Sequence, residues 1–81
     1  MELSIISPTK KEIIDIVWAE CNTPLGNYVI QPGHAPTIFA LSAHKPFIYC
    51  LKNGTEEVIM IKQAIAQITR TSIILLLNNF E

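Results

Sequence analysis

The chain has 81 residues, 49% of them hydrophobic and 16% charged, and six Lys and Arg against seven Asp and Glu leave a formal charge of -1. That length holds a single domain. The apolar content excludes a disordered chain, and the charge balance offers neither a footprint for nucleic acid nor an electrostatic grip on an anionic membrane surface. Ile, Val and Thr supply roughly a quarter of the residues, and branching at the β carbon favours pleated strands over helices. The expected fold class is all-β.

Pro, Gly and Asn divide the chain into eight short expected strands. Leu3–Ile6 is stopped by Ser7-Pro8, and Lys10-Lys11-Glu12 is a polar connection into a longer strand, Ile13–Asn22. Thr23-Pro24-Leu25-Gly26 has turn chemistry, followed by Tyr28–Gln31, the segment Pro32-Gly33-His34-Ala35-Pro36, and Thr37–Ser42. Phe47–Leu51 and Glu56–Lys62 flank Asn53-Gly54, a strong hairpin signal because both residues tolerate positive φ. Ala64–Thr69 and Ile73–Leu77 complete the set, and Asn78–Glu81 is a tail. Short strands at this spacing indicate a sandwich or barrel. One domain over residues 1–81 is expected.

Sequence signals for chemistry are sparse. There is no HExxH, P-loop or GxGxxG motif, and no catalytic residue, cofactor or metal site is expected. Met1-Glu2-Leu3-Ser4 is acidic where a secretory leader is basic, and the longest apolar run, Ile73–Leu77, is far short of a membrane span. No direct membrane insertion is expected. Cys21 and Cys50 read either as reduced core thiols or as a disulfide pair. Asp15, the one acid inside an apolar strand, reads either as an edge or bulge charge or as a buried functional acid.

Two features suggest a contact surface. In the second expected strand Val17, Ala19 and Cys21 share one face and Ile14, Ile16 and Trp18 the other; in the last, Ile73, Leu75 and Leu77 oppose Ile74 and Leu76. A sandwich strand normally has one wet face. Apolar residues on both faces imply either a β-bulge and scattered exposed apolar residues or a partner lying on the outside. Pro32 and Pro36 stiffen the backbone around His34, so His34 is either a backbone-bonded loop residue or a rigidly presented contact, one that would be pH-sensitive.

Gly26-Asn27-Tyr28-Val29-Ile30-Gln31-Pro32-Gly33-His34-Ala35-Pro36 resembles the G-x-[LF]-G-[IV]-x-P-x-H-A-P signature in the N-terminal domain of the F-type ATP synthase epsilon subunit. Leu3–Pro8, Glu56–Ile61, Ile65–Ile68 and Ile73–Leu77 resemble other strands of that domain in order. The resemblance implies a flattened β-sandwich of about ten short strands in the central stalk, or rotor. Such a subunit is not a catalyst; it links the gamma subunit to the c-ring and couples ion-driven rotation to ATP synthesis. It also implies a peripheral position on the cytoplasmic side of the membrane, most naturally a bacterial inner membrane. Ile14, Ile16 and Trp18 become candidates for the gamma side, and Asn27, Gly33 and His34 for the c-ring side. The sequence departs from the pattern at Val29 and at Gln63-Ala64, where the family carries glycines, and at Asn27, where it often carries an acid. The two-helix C-terminal hairpin usual in the family is expected to be absent. The alternative is a standalone epsilon-like binding module outside the synthase.

Overall fold

The computed structural model describes residues 1–77; the expected tail Asn78–Glu81 lies outside the described residues. Eight strands run in chain order: β1 (Glu2–Ser7), β2 (Lys10–Thr23), β3 (Gly26–Ile30), β4 (Thr37–Ala40), β5 (Lys45–Leu51), β6 (Glu56–Ile61), β7 (Ala64–Ile68) and β8 (Ser72–Leu77). Each expected strand is present. The expected polar connection Lys10–Glu12 is instead the first part of β2, where Lys11 pairs with Ile6 and Glu12 with Ile5. Charged residues continue a strand readily when one of its faces is open to water.

Two layers form the sandwich, which measures 28 × 27 × 20 Å. Sheet 1 has the order β4-β7-β8-β1-β2, and sheet 2 is built from β3, the later part of β2, β5 and β6. β2 belongs to both layers. Its first residues pair with β1 and its last with β3 and β5. The first and last strands, β1 and β8, lie side by side in parallel, the one parallel pair among otherwise antiparallel described strands.

The interior is apolar and mostly aliphatic. Leu3, Phe47, Ile61, Ile68, Ile73 and Leu75 are fully or almost fully buried, and no polar or charged residue is buried among the described residues. Each such side chain contributes about 1.5–3 kcal/mol relative to exposure. At the open side Tyr28 of β3 and Phe39 of β4 stack at 4.6 Å between ring centroids, joining the edges of the two sheets.

The bend in β2 corrects the expected assignment of its faces. The β2–β5 register shifts between Ile16 and Trp18, so Val17 is the bulged residue. One extra residue exchanges the two faces of a strand. Ile14 packs against the core and Ile16 is 1% exposed, as Ala19 and Cys21 are inside beyond the bulge, whereas Val17 is outside. Ile14 and Ile16 therefore do not lie on an outer face. Trp18, half-buried and opposite Cys50, does.

Turn chemistry follows the sequence closely. Gly54 takes φ 91° in the β5–β6 turn, closed by Leu51 N–H donating to Thr55 O at 2.8 Å. His44, in the connection from sheet 1 to sheet 2, is a non-glycine at φ 62°, and its N–H donates to Ile61 O at 2.7 Å. Val29, Gln63 and Ala64 have no positive φ, so at these positions the chain path does not need the glycines that the resemblance led one to expect.

Candidate functional site

The Pro32–Pro36 crossing carries the chain from β3 in sheet 2 to β4 in sheet 1. Gly33 stands at φ 90°, a value that side-chain-bearing residues rarely adopt. Its N–H donates to Arg70 O at 2.7 Å, pinning the crossing to the β7–β8 turn. That turn is itself braced by Thr69, whose hydroxyl accepts from Ser72 N–H at 3.0 Å. His34 N–H donates to Gln31 O at 3.1 Å, and Nδ1 lies 2.7 Å from Ala35 O. A carbonyl can only accept, so Nδ1 carries a proton and Nε2 is the nitrogen left to meet a partner. The crossing is rigid before anything binds, which lowers the entropy cost of a contact.

Asn27 sits at the other end of β3. Its Nδ2 donates to Glu20 Oε2 at 2.9 Å and to Asn22 Oδ1 at 3.1 Å. The hairpin next to it is closed by Thr23 Oγ1, which accepts from Leu25 N–H and donates to Gly26 O, both at 3.1 Å. Leu25 at its tip is 88% exposed. Gly33 and His34, neighbours in the chain, lie beyond the end of β3 at Ile30, and Asn27 is three residues, roughly 10 Å at ordinary strand rise, before that end.

Asp15 is exposed at the bend of β2, 2.8 Å from Lys52 Nζ and 3.5 Å from the Met1 amino group. The hydrogen bond from Lys52, foremost, holds its carboxyl below the usual range. It is a surface charge that ties β2 to the β5–β6 turn, and its exposure rules out the reading as a buried functional acid. Both cysteines are free and buried. Cys21 belongs to the core, and burial pushes its thiol up to about 11. Cys50 is outside the core cluster, on the outer side of sheet 2 opposite Trp18. The two thiols lie on opposite sides of a sheet.

A further exposed apolar surface was not singled out residue by residue from sequence. It is the outer side of sheet 1. Strand registers place Ile38, Gln67, Ile74, Ser4 and Ile13 in one row, and Ala40, Ile65, Leu76, Ile6 and Lys11 in the next. Only Lys11 is charged. Ile13, Ile38, Ile65 and Leu76 are exposed. The apolar pairs on both faces of β8 were the visible signal; the pairing that makes them a surface was not. A small groove lined by Ala64, Ile65, Leu76 and Leu77 opens beside it.

Similar folds occur in solved rotary assemblies. A chain of the Euglena gracilis mitochondrial ATP synthase, in a structure described as OSCP/F1/c-ring, superposes with a TM-score of 0.82 at 13% identity, over 95% of this chain and 49% of that one. A chain of the Tetrahymena thermophila mitochondrial ATP synthase, described as central stalk/c-ring, gives 0.77 at 15% identity, over 98% and 63%. This chain therefore spans about half of one and under two thirds of the other. Among curated proteins none matches. The family model of the ATP synthase delta/epsilon chain, beta-sandwich domain, matches residues 1–81. A sandwich with this topology and that match over its whole length belongs to the ATP synthase delta/epsilon family, as its β-sandwich domain.

Proposed function

We propose that this chain is a non-catalytic central-stalk subunit of an F-type ATP synthase, lying between the gamma subunit and the c-ring and coupling rotation to ATP synthesis. The observation that carries this reading is the pair of largely apolar rows on the outer face of sheet 1, with Lys11 as their one charge and Glu2 and Asp15 in the adjoining row, in a chain whose family works inside a rotary assembly. Apolar area left in water is a binding reserve of roughly 25 cal/mol per Å² when covered. We assign the gamma side to that face, around Ile13, Ile38, Ile65 and Leu76, in place of Ile14 and Ile16. Trp18 lies on the opposite sheet, where it faces Cys50. The c-ring side is assigned to Asn27, Gly33 and His34. Their positions at the two ends of β3 require a contact extended along that side of the sandwich rather than a single tip.

The subunit's work in this reading is mechanical. A close-packed sandwich transmits strain with little deformation, and a pinned crossing presents His34 to polar loops without reordering. Its place is peripheral, at the membrane through the c-ring. Co-expression of the chain with the gamma subunit of the same genome tests the reading. Recovery of a stable complex is the expected result; failure to bind gamma or any rotor complex would leave a standalone module. A gene position beside the catalytic beta subunit is expected as well.

A further inference from the structure

The four sheet borders differ in how they treat unpaired backbone. The free side of β2 near its start carries Lys10, Lys11, Glu12 and Asp15, and β6 carries Glu56 and Glu57. Charges of this kind keep foreign strands away. β3 is uncharged but borders a face that holds Glu20 and Glu56. β4, Thr37-Ile38-Phe39-Ala40, is uncharged, as are β7 and β8 beside it, and β7 is its one strand neighbour among the described residues.

The hydrogen-bond phase of that edge is fixed. Leu41 N–H donates to Ala64 O at 3.1 Å, in register with the pairs Phe39–Ala66 and Thr37–Ile68. In an antiparallel ladder alternate residues bond to a given neighbour. Phe39 and Thr37 therefore point their backbone groups at β7, and Ile38 and Ala40 point theirs away from the sheet. Ile38 is 68% exposed, and a shallow groove lined by Pro36, Thr37, Ile38, Gln67 and Thr69 runs beside it. Two outward N–H and two outward C=O groups form a short template for strand addition.

We propose that β4 is a docking edge to which an extended, uncharged segment of the gamma subunit adds as a further strand of sheet 1. This rests on the central-stalk reading and specifies how gamma is gripped. The added strand continues the ladder through Ile38 and Ala40. Its outward side chains are apolar and extend the rows that begin at Ile38 and Ala40; a charged segment would meet no counter-charge there.

Proline at either outward position removes a donor from the free edge and leaves the ladder to β7 intact. Ile38→Pro and Ala40→Pro are expected to weaken co-purification with gamma at least tenfold while the isolated chain unfolds at nearly the wild-type temperature. Ile38→Ala, which keeps the N–H, is expected to weaken it less. Amide exchange read by NMR is the second measurement: the Ile38 and Ala40 N–H groups should become protected when gamma binds, as a partner covering only the side chains would not make them. If both proline variants bind gamma like the wild type, or if those amides exchange as fast in the complex as in the free chain, strand addition at β4 is wrong while the stalk reading stands. If the wild-type chain binds no gamma, both are wrong.

Discussion

The two outer faces of the sandwich both carry exposed apolar residues and differ in how charge is placed among them. Sheet 1 presents Ile13, Ile38, Ile65 and Leu76 with Lys11 as the one charge in its two central rows. Sheet 2 presents Val29, Val58 and Met60 among Glu20, Glu56, Asn22 and Asn27. Exposed apolar residues set between carboxylates and amides remain compatible with water, because each has a polar neighbour. Rows of them without such neighbours are not a normal free surface. The placement of charge distinguishes the face assigned to a partner: on sheet 1 Glu2 and Asp15 sit beside the two apolar rows, and on sheet 2 the polar groups are interspersed.

The largest effects should come from residues inside both faces. Ile16→Ala should cost about 2–5 kcal/mol, as an enclosed cavity does, and lower the melting temperature by on the order of 10–20 °C. A near-neutral result in thermal unfolding would return Ile16 to the surface. Next comes the comparison itself. Ile65→Lys with Leu76→Lys should abolish gamma co-purification at a stability change of about 1 kcal/mol or less, and Val58→Lys with Met60→Lys on the other face should not. Equal losses from the two pairs would erase the distinction.

His44 tests the connection between the sheets. Its positive φ is costly for a side-chain-bearing residue, so His44→Gly should stabilise the chain by about 0.5–1 kcal/mol in a denaturant melt. The thiols give a finer probe. At pH 8 neither should react quickly with a thiol reagent. Trp18→Ala should open Cys50, on the outer side, and leave Cys21 protected. The raised Cys21 pKa, set by burial, means that its thiol stays neutral in the fold after it would ionise in the unfolded chain. Its contribution is complete below the ordinary value of 9.0 and is lost as pH rises towards about 11. The smallest effect belongs to Asp15. Its carboxyl, held low chiefly by the Lys52 hydrogen bond, adds stability above the usual 3.8 that disappears as the pH falls through its lowered value. Both partners are well exposed, so Lys52→Ala should change stability only slightly and less so in high salt.

Much of the fold is legible before pairing is considered. Asn53-Gly54 announces its turn and Pro32 and Pro36 frame the crossing, whereas the alternating burial of Ala64–Ile68 is not written in its residues, since Ile65 is apolar yet exposed. The c-ring candidates were legible only as a motif; their separation along β3 was not. Ile14 and Ile16 were expected on an outer face because the period of two was carried unbroken through Val17. Neither Gly nor Pro marks that bulge, and Ile14, Ile16, Val17 and Trp18 are all apolar, so local pattern supplies no reason to change phase.

By itself the sequence determined the number and order of strands, the turns between them and the family, since β-branching, proline geometry and the Gly26–Pro36 motif act locally. Tertiary structure alone decided which apolar residues are covered. β2 must serve two sheets, and the bulge that lets it bend turns Ile14 and Ile16 into core and Trp18 outward. Pairing β8 between β1 and β7 then lines Leu76 up with Ile6 and Ile65, and Ile74 with Ser4 and Gln67. Burial is a property of which strands become neighbours, and that choice is settled by long-range pairing rather than by any residue's own preference.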